Sequence, residues 1–167
     1  MGRARGWTGI CAVLALAVGA AALVPAAARA DIVGKPWVVD GDTIEIAGRR
    51  IALFGIDAPD TDQTCQLDGR EWNCGRDAMF ALANLIGHHW VVCKGETVDD
   101  DGRLLAVCYL GAWDINGRMV RDGWALARRD LAQDYVGAEI EAKRNGAGLW
   151  RSRFQPPWEW AASNLIQ

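Results

Sequence analysis

Motifs that mark several common enzyme classes are missing from this sequence. It has only two serines, Ser152 and Ser163, and no G-x-S-x-G, which argues against a serine hydrolase. No glycine-rich loop follows a strand to open a helix, which disfavours nucleotide binding of the P-loop or Rossmann kind. The absence of C-x-x-C argues against thiol redox catalysis, and also against a zinc site formed by cysteines with His88 and His89.

Positive charge is also scarce. Against 21 Asp and Glu the chain of 167 residues has 18 Lys and Arg, which gives a formal net charge of −3. This balance argues against a protein that coats nucleic acid through bulk charge. Any binding of phosphate must therefore be local.

The only long apolar run lies near the beginning of the chain. A basic start, an apolar stretch over residues 10–23 and an A-x-A site at residues 28–30 are the three parts of a secretory signal peptide. We therefore expect residues 1–30 to be removed and residues 31–167 to form a single domain with a Trp-rich C-terminal tail. A permanent membrane anchor is the rival interpretation, but the run is short and rich in Ala and Gly.

Four cysteines follow the predicted signal peptide: Cys65, Cys74, Cys93 and Cys108. An even number of cysteines in an exported chain favours two disulfides, for which three pairings are open. If residues 90–110 form a hairpin that turns at its middle, Cys93 faces Cys108. That pairing is favoured, and it leaves Cys65 and Cys74 to close a short loop.

Alternating apolar and polar residues predict two strands over residues 35–48 and 49–58, with a turn at Gly48. The alternating apolar residues are Ile44, Ile46, Ile51 and Leu53.

Further along the chain, the polar composition of residues 60–72 predicts a loop. Residues 74–87 have the periodicity of a short amphipathic helix. A second helix is predicted to begin near Asn116, and a third within residues 132–150. Together these elements suit an α+β fold, a five-stranded OB-type antiparallel β-barrel with about three helices.

Acidic residues cluster where the first predicted hairpin begins and again where it ends in the sequence. Asp40 and Asp42 lie in "VVDGDT", and Asp57 and Asp60 lie in "GIDAPD". Asp-Gly is a common turn dipeptide, so "DGDT" alone favours a structural role. The second acidic end changes this interpretation, because a hairpin brings Asp42 and Asp57 into reach of each other. Paired carboxylates are ligands for a hard cation such as Ca²⁺.

Four motifs in order, "VVDGDT", "FGIDAPD", "DGRLLAVCY" and "RDGWA", carry a resemblance to a known family. Between Lys35 and Trp150 the chain resembles staphylococcal nuclease and its relatives, the thermonuclease family. The resemblance implies an OB-fold nuclease that uses Ca²⁺, cuts DNA and RNA without sequence specificity and leaves 3′-phosphates.

The resemblance also implies roles for individual residues. Asp42, Asp57 and the backbone carbonyl of Ala58 match the family's metal ligands. Asp60 stands where the family has a Glu that acts through water as general base. Arg103, in "DGRLLA", matches the arginine that stabilises the charge of the phosphorane. Such stabilisation by a cation and an arginine suits phosphodiester hydrolysis, in which negative charge develops on the phosphate oxygens.

Two positions depart from the family pattern. Ala52 replaces a second phosphate-clamping arginine, and Asp60 is one methylene shorter than Glu. Arg50 lies two residues upstream of Ala52 on the same strand face, and we expect it to replace the missing clamp in part. The acidic residues 99–101 would weaken binding of a long polyanion unless they point away.

Two functional hypotheses follow. The first is a periplasmic or secreted, Ca²⁺-dependent endonuclease that acts on nucleic acid as a monomer, without membrane attachment after signal cleavage. The second is a nuclease-like OB module that has lost catalysis and binds a ligand or partner. The departures described above favour the second hypothesis, whereas Asp42, Asp57 and Arg103 favour the first.

Overall fold

The computed structural model describes Gly2 and residues 31–164. Apart from Gly2, the predicted signal peptide lies outside the described residues. Within them, no helix combines the length and apolar character needed to span a membrane. The strands are β1 (Ile32–Gly34), β2 (Trp37–Val38), β3 (Thr43–Ile46), β4 (Arg49–Leu53), β5 (Ile56–Asp57), β6 (Cys65–Leu67), β7 (Arg70–Trp72), β8 (Val91–Val98), β9 (Leu104–Leu110), β10 (Trp113–Asp114) and β11 (Leu126–Ala127). The helices are α1 (Cys74–Ile86), α2 (Ile115–Arg121), α3 (Val136–Asn145) and α4 (Pro157–Asn164), with a 3₁₀ turn at Gly148–Arg151.

The predicted first hairpin is confirmed as β3 and β4. These strands pair antiparallel, with Thr43 opposite Ala52 and Ile44 opposite Ile51. Ala47 and Gly48 form the two-residue turn, and both have positive φ, 51° and 78°. Turns of this kind match the twist of the strands that they join. The predicted alternating residues Ile44, Ile46, Ile51 and Leu53 are buried.

The second hairpin, β8 and β9, has the register that the cysteine positions predict. Cys93 lies opposite Cys108, and a disulfide joins them. The other predicted disulfide, between Cys65 and Cys74, is also present.

The sheet differs from the predicted five-stranded antiparallel barrel. Its strands run in the order β1-β8-β9-β4-β3-β2, with β10 on β9, which makes seven strands. β4 and β9 pair in parallel, with Leu53 opposite Ala106, so the sheet is mixed. A parallel pair needs a crossover connection, and the chain that contains α1 supplies it. The α+β class is confirmed, and the strongly curled half-barrel sheet is consistent with an OB fold.

The helices and the predicted loop also differ in detail. The described residues contain four α-helices instead of about three, because the tail forms α4 from Pro157. The polar segment predicted as a loop contains the small hairpin β6–β7. The disulfide from Cys65 in β6 to Cys74 at the start of α1 stabilises this hairpin, a constraint that polar composition does not reveal.

One buried side chain links the core to the end of β4. Asn116 is fully buried, and its amide donates to the carbonyls of Phe54 at 3.0 Å and Ala106 at 3.1 Å. Its carbonyl oxygen accepts from the N–H of Cys108 at 3.1 Å. These bonds satisfy polar groups that have no access to water, and they hold the end of β4 against β9.

Candidate active site

An open cleft of about 610 Å³ lies where the two hairpins and the segment after β11 meet. Carboxylates from both ends of the β3–β4 hairpin and from the β8–β9 turn line it, together with two arginines. Arg50 is the one predicted charged site residue that is not among the lining residues. The charged lining residues are Asp40, Asp42, Asp57, Asp60, Asp99, Asp100, Asp101, Arg103 and Arg128.

Hydrogen bonds connect Asp42, at the start of the β3–β4 hairpin, to the residues that follow its second strand. The N–H of Asp42 donates to Asp40 Oδ1 at 3.0 Å. This local hydrogen bond closes a turn and fixes the backbone there. The Asp42 carboxylate accepts from the Ala58 N–H at 2.7 Å and from the Thr43 hydroxyl at 3.0 Å. Because Ala58 follows Asp57 directly, the structure brings Asp42 and Asp57 together.

Burial and neighbouring negative charge destabilise the ionised forms of these two carboxyl groups. Asp57 raises the pKa of Asp42, whereas Asp42 lowers the pKa of Asp57. Burial, followed by the charges of Asp40 and Asp57, raises the pKa of Asp42 well above its ordinary value. Burial also raises the pKa of Asp57 to about 6; Arg128 opposes this shift and Asp60 adds to it. Two acids in this state favour either a proton or a cation between them.

The chemistry of these donors fits a hard cation with an incomplete protein shell. Both side chains offer oxygen ligands, which suit Ca²⁺, and water can supply the remaining positions. Within residues 31–164, no group of three or more His, Cys, Asp or Glu side chains is arranged to hold a metal ion. The protein would therefore contribute two carboxylates, Asp42 and Asp57, and the predicted carbonyl of Ala58.

Asp60 lies at the exposed edge of the cleft. Partial burial and the charges of Asp40 and Asp62 raise its pKa, and Arg103 lowers it. Its carbonyl accepts from the N–H of Gln63 at 2.8 Å, which fixes the turn after the residue. A carboxylate whose pKa is raised binds protons more strongly, which suits a group that accepts a proton from water.

Arg103 enters the cleft from the second hairpin. Its Nε donates to Asp99 Oδ2 at 2.7 Å, and its Nη1 donates to Thr43 Oγ1 at 3.3 Å. Since the Thr43 hydroxyl also donates to Asp42, the guanidinium lies on the Asp42 side of the acidic pair. Of the predicted acidic triplet, Asp99 holds this arginine and Asp101 lies 3.7 Å from its Nη2. Asp100 and Asp101 are exposed at the cleft edge.

Arg50 and Ala52 differ in their relation to the cleft. Ala52 lines it and is only 7% exposed. Arg50 is exposed and lies opposite Glu45 on the neighbouring strand.

Sequence reasoning missed Arg128, the second arginine of the cleft. Its Nη1 lies 3.4 Å from Asp57 Oδ2. The residue follows β11, which pairs with β5 so that Leu126 lies opposite Asp57. A two-residue strand has no recognisable periodicity, and the Arg-Arg pair of residues 128 and 129 does not mark the position either, because residues 49 and 50 form another such pair.

Comparisons with known proteins agree with the motifs. A family profile described as Staphylococcal nuclease homologue matches residues 50–152. The succinoglycan biosynthesis protein ExoI of Rhizobium meliloti is 39% identical over 133 residues, which cover 77% of this chain and 69% of ExoI. The probable staphylococcal-like nuclease CAN3 of Oryza sativa is 31% identical over 114 residues, 66% of this chain and 28% of CAN3.

An uncharacterized endonuclease of Haemophilus influenzae is 29% identical over 120 residues, 68% of this chain and 62% of that protein. The chain thus spans less than two thirds of the length of CAN3 and of the Haemophilus protein, but more than two thirds of ExoI. The extent of the family match and the identity to ExoI decide the assignment: the chain belongs to the family of staphylococcal nuclease homologues.

Proposed function

We propose that this protein is an exported, Ca²⁺-dependent endonuclease that hydrolyses DNA and RNA to 3′-phosphates without sequence specificity. The observation that carries the proposal is the meeting of Asp42 and Asp57 in one cleft with Arg103. A paired carboxylate site beside a guanidinium suits hydrolysis of a phosphodiester, in which charge develops on the phosphate.

Each residue has a role in this mechanism. Asp42, Asp57 and the Ala58 carbonyl would hold Ca²⁺, which would stabilise negative charge on a phosphate oxygen. Asp60 accepts a proton from the attacking water as the oxygen–phosphorus bond forms. Arg103 donates hydrogen bonds to the phosphate oxygens. The bond from phosphorus to the 5′-oxygen breaks, the 5′-oxygen takes a proton from solvent, and the phosphate stays on the 3′ side.

The rate of cleavage of single-stranded DNA tests the proposal. We expect cleavage with Ca²⁺ and none with chelator, and a loss of about a hundredfold or more in Arg103→Ala. Arg118→Ala is the matched control, because Arg118 pairs with Asp122 on α2, outside the cleft lining. Absence of cleavage in both conditions at high enzyme concentration would contradict a nuclease function.

A nuclease-like module that binds a ligand or partner without catalysis is the second candidate. Ala52 in the cleft wall and the exposed Asp100 and Asp101 at its edge favour it. The name of the relative ExoI, which refers to succinoglycan biosynthesis, is also compatible with a role other than nucleolysis. Ala52→Arg separates the candidates: a large gain in rate indicates an otherwise competent framework, and no gain favours the binding module.

Three further expectations belong to this proposal. We propose that the protein is exported to the periplasm or medium after removal of residues 1–30, and that it is a monomer. The two disulfides support export. N-terminal sequencing of the exported protein and its elution volume on a sizing column test both points. We also propose that Arg50 substitutes in part for the missing clamp, and an unchanged rate in Arg50→Ala would contradict that role.

A further inference from the structure

The cleft contains a second guanidinium, which contacts the other member of the acidic pair. Arg103 reaches Thr43, whose hydroxyl donates to Asp42, whereas Arg128 reaches Asp57. These two arginines are the only basic side chains among the described residues that line the cleft. Each member of the acidic pair therefore has a neighbouring arginine that can fork hydrogen bonds to a phosphate.

Backbone hydrogen bonds fix the position of Arg128. Its N–H donates to the carbonyl of Gly55 at 2.9 Å, next to the pairing of β11 with β5. The preceding residue, Ala127, donates its N–H to the buried carboxylate of Glu139 at 3.0 Å. Arg128 thus extends from a well-held backbone and not from a free loop.

The side chain of Arg128 is held but not saturated. Its Nε and Nη2 donate to the two carboxylate oxygens of Asp130, at 2.9 and 2.7 Å. Its Nη1 donates to Asp57 at 3.4 Å. These bonds use three of the five N–H donors of a guanidinium, so two remain for a ligand. The Arg128 side chain is 30% exposed, which leaves it accessible from the cleft.

We propose that Arg128 binds the substrate phosphate together with Arg103, as a clamp from the side of Asp57. This inference rests on the proposed function and names a residue that contacts the substrate. It explains how the site tolerates Ala52, which offers the cleft a methyl group and no hydrogen-bond donor. Because the clamp comes from the segment after β11, it needs no arginine on β4.

Trp158 is a positioning residue for this clamp. Its ring centroid lies 5.8 Å from Arg128 Cζ, and the ring lines the same cleft. A cation–π contact of this kind restricts the guanidinium without consuming its N–H donors. The helix α4 thereby takes part in the site.

Calorimetric titration with deoxythymidine 3′,5′-bisphosphate in Ca²⁺ tests the proposal without cleavage, because this probe has no phosphodiester bond. We expect Arg128→Ala to raise the Kd roughly 10- to 100-fold, the range for lost charge-assisted hydrogen bonds. The Kd of Arg128→Lys should lie between those of the wild type and Arg128→Ala, because lysine keeps the charge but cannot donate two parallel hydrogen bonds. Arg118→Ala should match the wild type. An unchanged Kd in Arg128→Ala, with or without tighter binding of Ca²⁺, would overturn the proposal.

A double-mutant cycle tests the role of Trp158. Trp158→Ala should raise the Kd of the bisphosphate about 2- to 5-fold, and Trp158→Phe should restore most of the affinity. In the Arg128→Ala background, Trp158→Ala should have no further effect, because the two residues act as a unit. An equal loss in both backgrounds would show that Trp158 acts independently of Arg128.

The outcomes separate this inference from the proposed function. If the wild type cleaves DNA while Arg128→Ala cleaves and binds equally well, only the role of Arg128 is wrong. If the wild type binds the bisphosphate through Arg128 but does not cleave, the nuclease proposal fails and the phosphate clamp stands. If the wild type neither cleaves nor binds, both fail.

Discussion

At the scale of single residues, we expect protons and Ca²⁺ to compete for the acidic pair. Burial raises the pKa of Asp57 to about 6 even though Arg128 opposes the shift. Below that pH the Asp57 carboxyl group holds a proton, and above it the buried Asp57 carboxylate is charged next to Asp42. The same burial that makes the site unfavourable when empty makes it receptive to a divalent cation.

The stability of the protein in chelator should therefore fall as the pH rises through this range. A raised pKa means that proton uptake stabilises the folded state fully below the ordinary value of 3.8, and that this contribution is lost as the pH rises through about 6. Relative to Asp57→Asn, the wild type should lose on the order of 3 kcal/mol of unfolding free energy between about pH 4 and pH 7. Urea unfolding measures the difference.

Saturating Ca²⁺ should restore much of this stability at about pH 7, and it should have less effect on Asp57→Asn. A difference between the two proteins that stays constant from about pH 4 to pH 7 would mean that Asp57 titrates normally.

Residue-scale predictions from sequence were best where a motif surrounded the residue. Short motifs predict Asp42, Asp57, Asp60 and Arg103, and all four residues line one cleft. Arg128 reaches that cleft through the pairing of two-residue strands, which depends on tertiary structure and has no local signature.

At the scale of elements, the start of α1 fixes the loop that carries Asp60. Gly75, the second residue of α1, lies so close to this loop that a Cβ there would be 1.6 Å from the Asp60 carbonyl oxygen. The neighbouring Cys74 is held by its disulfide to Cys65. Helix and loop therefore cannot accommodate a side chain without moving apart.

Gly75→Ala should lower both stability and activity. The clash involves backbone atoms, so we expect a loss of about 1–3 kcal/mol in unfolding free energy. If Asp60 is the base, its displacement should also lower kcat, by up to about a hundredfold for a shift near 1 Å. Thermal unfolding and initial rates measure the two effects.

Gly137→Ala provides the matched control, because Gly137 lies in α3 and a Cβ there meets nothing within 4 Å. This substitution should be neutral or stabilising, since alanine has the higher helix propensity. Equal behaviour of the two variants would show that the contact between α1 and the Asp60 loop is not tight.

At the scale of the whole molecule, the sequence predicts pairings between strands that are close in sequence but not those between distant strands. The β3–β4 hairpin and the pairing of Cys93 with Cys108 follow from periodicity and spacing. The parallel pairing of Leu53 with Ala106 joins strands that are far apart in sequence, and no local pattern encodes its direction. The small hairpin β6–β7 lacks a hydrophobic pattern, so the sequence predicts the disulfide that ties this segment to α1 but not the strands within it.

The overall charge of the protein determines how strongly its binding of nucleic acid should depend on salt. The full chain has a net charge of −3, and removal of residues 1–30 takes away three arginines and no acidic residue. The exported protein would therefore be more negative and have no bulk attraction for nucleic acid, so affinity depends on the few cations of the cleft. Each contact to a phosphate of single-stranded nucleic acid adds about −0.7 to the slope of log affinity against log salt. Two arginines therefore predict a slope no steeper than about −1.4.

Initial rates at substrate concentrations below KM, with single-stranded DNA and constant Ca²⁺, give this slope directly from kcat/KM. We expect a fall of only about sevenfold between about 50 and 200 mM KCl, and a still shallower slope in Arg128→Ala. The Arg118→Ala control should keep the wild-type slope. A slope steeper than about −4 would mean that additional basic side chains contact the substrate, and that the cleft is only part of a larger nucleic-acid-binding surface.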